Sequence, residues 1–249
     1  MIKLIRQPAP SELTSQVVRE LTEQYKQQGV SVWNKDYIKK ALLEMSHRKC
    51  CYCEVRLQEE GKYMQVEHFH CKSLYPDEVV VWDNLLPSCN RCNSHKSNHD
   101  TYKEPIINPC TDDPKEFLYM EDYRIRSKNN NPIGCRTIDI LYLNDSEHLV
   151  TPRFEIGNKI HEKIQLIDEL LKDYISGKNT SIQRRNKIIN SLKEILKLSG
   201  PEQEYSATVA TVTIKDSTYL HVRDDLLKLS LWDEELEELD SKARANALL

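Results

Sequence analysis

Cys50 and Cys53 are separated by two residues, as are Cys89 and Cys92, and each pair has the spacing that wraps one side of a tetrahedral thiolate site. Together the four predict a structural zinc centre. A disulfide is the rival use of these cysteines. Nothing at the start of the chain resembles a secretory signal, so a reducing, cytoplasmic setting is expected instead. The stretch between the pairs, 54–88, is longer than a zinc ribbon needs, and it carries Glu67-His68. An unperturbed imidazole titrates near neutral pH and is the natural general base, while a carboxylate offers a hard oxygen to a metal. Two zinc knuckles therefore bracket residues able to activate water. His95 and His99 could join Cys89 and Cys92 in a compact zinc site, but these positions leave little chain to wrap a tetrahedron. Cys51 and Cys71 read as small buried apolar side chains.

Further residues fall into a recognisable order. Glu67-His68, then Asn84 before Leu85, then Asn93 three residues before Lys96, all framed by the two cysteine pairs, resemble the HNH nuclease motif with its ββα-metal fold. The wider text includes Ile-x-x-x-x-Pro-x-Pro near the N-terminus, Lys49-Cys50-Cys51-Tyr52-Cys53-Glu54, and Glu67-His68-Phe69 followed by Lys72-Ser73. In that form the chain resembles the HNH nuclease component of Septu anti-phage systems, including those attached to retrons. The resemblance implies an α+β protein. A ββα-metal module at 49–103 would be preceded by two helices at 1–48 and followed by a mostly helical region at 104–249, a candidate docking surface for a partner.

Hydrolysis of a phosphodiester needs a base for water, a Lewis acid for the charge on phosphorus, and a way to stabilise the leaving oxygen. His68 is the expected base. Glu67 and Asn93 supply the oxygen ligands that suit Mg²⁺ or Mn²⁺, and zinc on the thiolates pins the ends of the motif together. A hairpin of 54–57 with 63–69 would point Glu67 and His68 to opposite sides of one strand. A helix from Cys89 to about Asn98 would put Asn93 and Lys96 on one face, with Lys96 near phosphate. Arg91 and Lys72 are further candidate nucleic-acid contacts. The resemblance assigns Asn84 a structural role between strand and helix. His70 shares a strand face with His68 and is a rival base.

The supporting elements follow from periodicity. Leu13, Val17, Val18, Leu21 and Tyr25 have helical spacing after Pro10-Ser11, with Gly29 as the stop. Trp33-Asn34 opens a second helix carrying Tyr37, Ile38, Ala41, Leu42 and Met45. Residues 103–114 read as a loop, 117–126 as a short hairpin, and 137–143 as a short helix. Helices are expected over about 152–175, 181–198 and 224–239, the middle one capped by Thr180 or Ser181 and stopped by Gly200-Pro201. Residues 206–214 alternate like a strand, whereas the resemblance suggests helix; both readings stand. Arg124, Arg126 and Lys128, and the acidic run 233–238, read as solvated charge.

Composition narrows the function classes. The chain has 249 residues, a mean hydropathy of −0.63 and a formal net charge of −4. No apolar run approaches the ~18 residues of a membrane span, and no Walker-type glycine loop is present. Between Ser46 and Lys103 basic and acidic residues balance, so the module lacks the basic footprint usual for nucleic-acid binding. A partner is therefore expected to supply part of the substrate grip. The resemblance implies an ABC- or SMC-like ATPase and, in retron-linked systems, a reverse transcriptase with its noncoding RNA and single-stranded DNA. The substrate would be DNA or an RNA such as tRNA. Two rival readings are a free-standing restriction-like nuclease and a non-catalytic zinc-knuckle module that binds nucleic acid.

Overall fold

The structure, a computed structural model, describes residues 1–59 and 63–249. The chain divides into two compact units, Met1–Tyr119 with Ile125–Asn144, and Met120–Arg124 with Asp145–Leu249. The first holds both cysteine pairs and every candidate site residue.

In the first unit, α1 (Ser15–Gln28) begins one residue after Thr14, whose hydroxyl accepts from Val17 N, and ends at Gly29. Gly29 adopts φ 67°, a left-handed turn that glycine enters without steric cost. The cap thus lies at Thr14 rather than Pro10-Ser11. The stripe of α1 is core: Leu21 clusters with Val32, Val79 and Val80, and Val17, Val18, Tyr25 and Trp33 pack around them. Each fully buried aliphatic side chain of this kind contributes about 1.5–3 kcal/mol. Helix α2 (Asp36–Met45) buries Ile38, Leu42 and Met45 and delivers the chain to the first cysteine pair.

Strands β1 (Met64–His68) and β2 (Leu85–Cys89) form an antiparallel pair in which His68 faces Leu85, Glu67 faces Leu86 and Met64 faces Cys89. The expected hairpin of 54–57 with 63–69 does not form. The knuckle turn instead folds Arg56 back onto Lys49, and residues 60–62, through which that hairpin would turn, lie outside the described residues. The partner of β1 comes from beyond Asn84 because residues 85–89 are apolar enough to be buried on both faces. Helix α3 (Asn90–Lys96) follows β2 directly, and the Sγ of Cys89 accepts from Cys92 N at its start. The order β1, β2, α3 is the ββα arrangement that the resemblance implies.

A short turn of helix, α4 (Pro114–Phe117), leads into the hairpin β3 (Leu118–Glu121) and β4 (Arg124–Ser127), through which the chain crosses between the units. Helix α5 (Pro132–Ile140) starts at Asn131, whose side chain caps Ile133 N and Gly134 N. It begins five residues earlier than 137–143 because Asn131-Pro132 is a cap followed by proline at the first helical position.

The second unit contains α6 (Thr151–Ile175), α7 (Ile182–Lys197), α8 (Ser206–Lys215), α9 (Ser217–Lys228) and α10 (Glu234–Asn246). Ser181 caps α7 through Arg184 N, and α6 packs on α7 as a helical hairpin. Residues 206–214 are helical and buried on every side, touching α6, α7, α9 and α10. The expected single helix over 224–239 is two. Its break spans Leu229 to Asp233, with Ser230 at φ 56°, and Asp233 caps α10 by accepting from Leu236 N. No described helix is long and apolar enough to cross a membrane.

Candidate functional site

The four cysteines meet. Their Sγ atoms lie within 4.8 Å of one another, all buried, with Cys53 and Cys89 3.7 Å apart. A zinc ion at ~2.3 Å from each of four tetrahedral sulfurs would hold them about 3.8 Å apart. All eight cysteines are free thiols, so no disulfide competes for these ligands. The donor set therefore fits a divalent soft-ligand metal such as zinc. Cys51, between the knuckle cysteines, points its amide at Pro87 O of β2 at 2.9 Å, and Cys71 is buried. His95 and His99 make other contacts: His95 packs against Tyr142, and His99 Nε2 meets Glu104 O at 2.7 Å.

Glu67 and His68 leave β1 in opposite directions, as the alternation of a strand requires. His68 is 4% exposed and lies edge-on to Trp33, with ring centres 4.7 Å apart. Its Nε2 is 2.9 Å from Val79 O. A carbonyl only accepts, so Nε2 carries the proton and Nδ1 carries the lone pair. Burial, aided by the charge of Lys72, lowers its pKa to about 3, which keeps the ring neutral at physiological pH. The support of this carbonyl is the α1 cluster itself, since Val79 is one of its members.

Glu67 is 2% exposed on the other side. Lys96 Nζ stands 2.6 Å from its Oε1, so that buried oxygen is ion-paired. Burial pushes the carboxyl up to about 7 against the opposing pull of the Lys96 charge. A carboxylate oxygen is the kind of donor a hard cation takes up. Asn93, half-buried on α3, makes no side-chain hydrogen bond among the described residues, leaving its amide oxygen unclaimed. These two residues fit the donor chemistry of Mg²⁺ or Mn²⁺.

Each basic candidate contacts a neighbouring residue of the first unit. Lys96 is 1% exposed and donates to His68 O at 2.8 Å, which ties α3 to the end of β1 rather than presenting an ammonium at the surface. Arg91 donates to Tyr142 O at 2.5 Å and lies over the Tyr142 ring. Lys72 rides 5.0 Å above the Trp33 ring, on the aromatic that also packs against His68. Asn84 is a clasp. Its Oδ1 accepts from His70 N at 2.6 Å, and its Nδ2 donates to His70 O and Glu78 O. Sequence reasoning passed over Trp33 and Val79; a tryptophan in an interhelical turn and a backbone carbonyl carry no motif.

No family model matches the chain. A Septu protein PtuB from Bacillus thuringiensis is 43% identical over 249 residues, covering 100% of this chain and 96% of that relative. The chain belongs to the PtuB family of Septu proteins. A second Septu protein PtuB, from Bacillus mycoides strain KBAB4, is 29% identical over 232 residues, covering 76% of this chain and 77% of the relative. Membership in the PtuB family extends over both compact units, so it includes the helical second unit as well as the cysteine centre.

Proposed function

We propose that this PtuB-family chain is a metal-dependent endonuclease of the HNH type, the nucleic-acid-cutting component of a Septu anti-phage defence system. The observation that carries the reading is the fixed tautomer of His68: Val79 O holds Nε2–H, so the lone pair is on Nδ1 of a neutral ring. A base must have its lone pair free and its ring oriented before substrate arrives. The carboxylate of Glu67, together with the amide oxygen of Asn93, would hold Mg²⁺ or Mn²⁺. When bound, such an ion supplies Lewis-acid stabilisation of charge at phosphorus and at the leaving oxygen. His68 takes the proton of the attacking water through Nδ1, and Asn84 keeps the backbone beyond it in place by clasping both the amide and the carbonyl of His70. The thiolates of Cys50, Cys53, Cys89 and Cys92, closed on zinc, fix the register of β1 against α3.

A neutral nuclease module without a Walker-type loop leaves both substrate grip and regulation to a partner. That partner is an ABC- or SMC-like ATPase, docked on the helical second unit. In a retron-linked version a reverse transcriptase with its noncoding RNA and single-stranded DNA joins it.

The test is a cleavage assay on single- and double-stranded DNA and RNA, with Mg²⁺, Mn²⁺ or chelator, using protein co-expressed with its genomic neighbours. Metal-dependent cleavage should fall by about 10² to 10⁴ in His68→Ala while zinc content stays. Unchanged activity in His68→Ala would remove His68 as the base. An uncut nucleic acid and an ATPase that co-purify with His68→Ala would identify substrate and partner together, whereas a lone, active chain would favour a free-standing nuclease.

A further inference from the structure

Beyond His68 the chain carries a second imidazole whose support is equally specific. His70 Nδ1 is 2.7 Å from Thr101 Oγ1, and that hydroxyl gives its own proton to Phe69 O at 2.9 Å. A hydroxyl has one proton to give, so His70 is the donor to Thr101 and its ring is held in one orientation. Tyr102 lies flat on that ring, with centroids 3.8 Å apart and planes at 8°. Tyr75 is 4.8 Å from Tyr102 and 6.1 Å from His70. These three lengths close a nearly right-angled triangle with its corner at Tyr102. Tyr75 therefore stands beside the edge of the Tyr102 ring, and neither it nor His70 covers the second face.

That second face belongs to a ring 55% exposed yet held at its hydroxyl. Tyr102 Oη donates to Glu78 Oε1 at 3.0 Å, Tyr75 Oη donates to Asp100 Oδ1 at 2.7 Å, and the same Asp100 oxygen accepts from Tyr102 N at 3.2 Å. An exposed aromatic normally sweeps through several rotamers; this one is stacked below, abutted at the side and anchored at the tip. The carboxylates of Glu78 and Asp100 beside it disfavour phosphate there, while the cationic side chain on the His68 flank is Lys72 over Trp33. Charge thus separates a base-side surface from a backbone-side surface. His70 lies two residues past His68, in the bend that follows β1, so their Cα atoms are at most about 7 Å apart.

We propose that the uncovered face of Tyr102 is a stacking subsite for an unpaired nucleobase neighbouring the bond that is cut. The chain would then take single-stranded or looped nucleic acid in preference to continuous duplex. The proposal rests on the nuclease reading above and names the class of its substrate. Every base has a π-face, so stacking is tolerant of sequence, but in a duplex both faces are already covered by neighbours. Removal of a base-stacking aromatic typically weakens single-strand binding by about 5- to 150-fold.

The experiment uses the full chain carrying His68→Ala, with its co-purifying partner if one is present. The probes are DNA and RNA oligonucleotides carrying 2-aminopurine, as single strands and as duplexes. Single strands should bind more tightly and their 2-aminopurine emission should be quenched. Adding Tyr102→Ala should weaken that binding by 5- to 150-fold and abolish the quench, whereas Tyr102→Phe should keep both. Tyr102→Leu gives the same readout if the alanine variant loses its zinc or its thermal transition. Single-strand binding unchanged by loss of the aromatic, or a preference for duplex, overturns the subsite. Cleavage of the same oligonucleotides by chain with His68 intact separates the two readings. Quenched binding without metal-dependent cleavage sinks the nuclease and keeps the platform; cleavage indifferent to Tyr102→Ala and to strandedness sinks the platform alone. Binding to none of the probes overturns both.

Discussion

Lys96 stands 2.6 Å from Glu67 with both side chains almost wholly buried, so helix α3 is joined to strand β1 by a charge pair shielded from water. Such a pair is weak evidence for stability when intact, but removal of one partner strands the other. Lys96→Met should therefore destabilise the first unit by roughly 3–5 kcal/mol, and adding Glu67→Gln should restore part of the loss because a neutral amide needs no counter-charge. Thermal or denaturant unfolding of the two single variants and the double variant measures the coupling. Strict additivity would show that the pair is not a unit.

The cysteine centre has a different order of events. Purified chain should contain one zinc per molecule, and Cys53→Ala should lose the metal first, then the β1–β2–α3 packing, and activity only as a consequence. Elemental analysis with limited proteolysis reads the sequence of losses. A Cys53→Ala protein that resists protease as well as the wild type would show that the metal is not structural.

The cysteine pairs were legible because ligand spacing is a local property, and the stripes of α1, α2, α6 and α7 were legible because burial on one face imposes a period. What stayed open and what was misplaced are instructive. Residues 206–214 alternate Thr, Val and Ala, which mimics a strand; the helix forms because α8 is buried all round and needs no polar face. The strand partner of β1 was misplaced because β2, fully buried, alternates nowhere, and its pairing is set by the excursion clasped by Asn84. The surface role expected of Lys96 was missed for a related reason. A helical face is readable in sequence, but whether that face meets solvent or a buried carboxylate is decided by the strand it packs on.

Trp33 links the N-terminal helices to the site, packing edge-on to His68 and lying beneath the ammonium of Lys72. It is a positioning residue under the nuclease reading. Trp33→Ala should lower turnover by up to about 10²-fold through misplacement of His68, while Trp33→Phe, which keeps an aromatic face, should retain most of it. Kinetics alongside zinc content make the check. Equal losses in both variants, with zinc retained, would mean that the indole itself and not its packing is required.

The acidic start of α10 is more than a solvated face, because α7 answers it with two lysines. Lys193 Nζ is 2.6 Å from Asp233 and 2.7 Å from Glu235, and Lys197 Nζ is 2.9 Å from Glu235. Hydrogen bonds from Lys193 and Lys197 hold the Glu235 carboxyl down at about 2; for Asp233, burial pulls upward but Lys193 and the Leu236 amide prevail, leaving it below its usual range. A depressed folded-state pKa gives stability that is present above the unfolded value, near 4.5 for Glu235, and that is lost as pH falls toward 2. Acid between those limits should therefore loosen α10 from α7. Lys193→Met removes the largest of these lowering contacts, so its melting temperature should fall less than that of wild type between pH 5 and pH 3. Parallel declines in the two proteins would assign the acid sensitivity to other carboxylates.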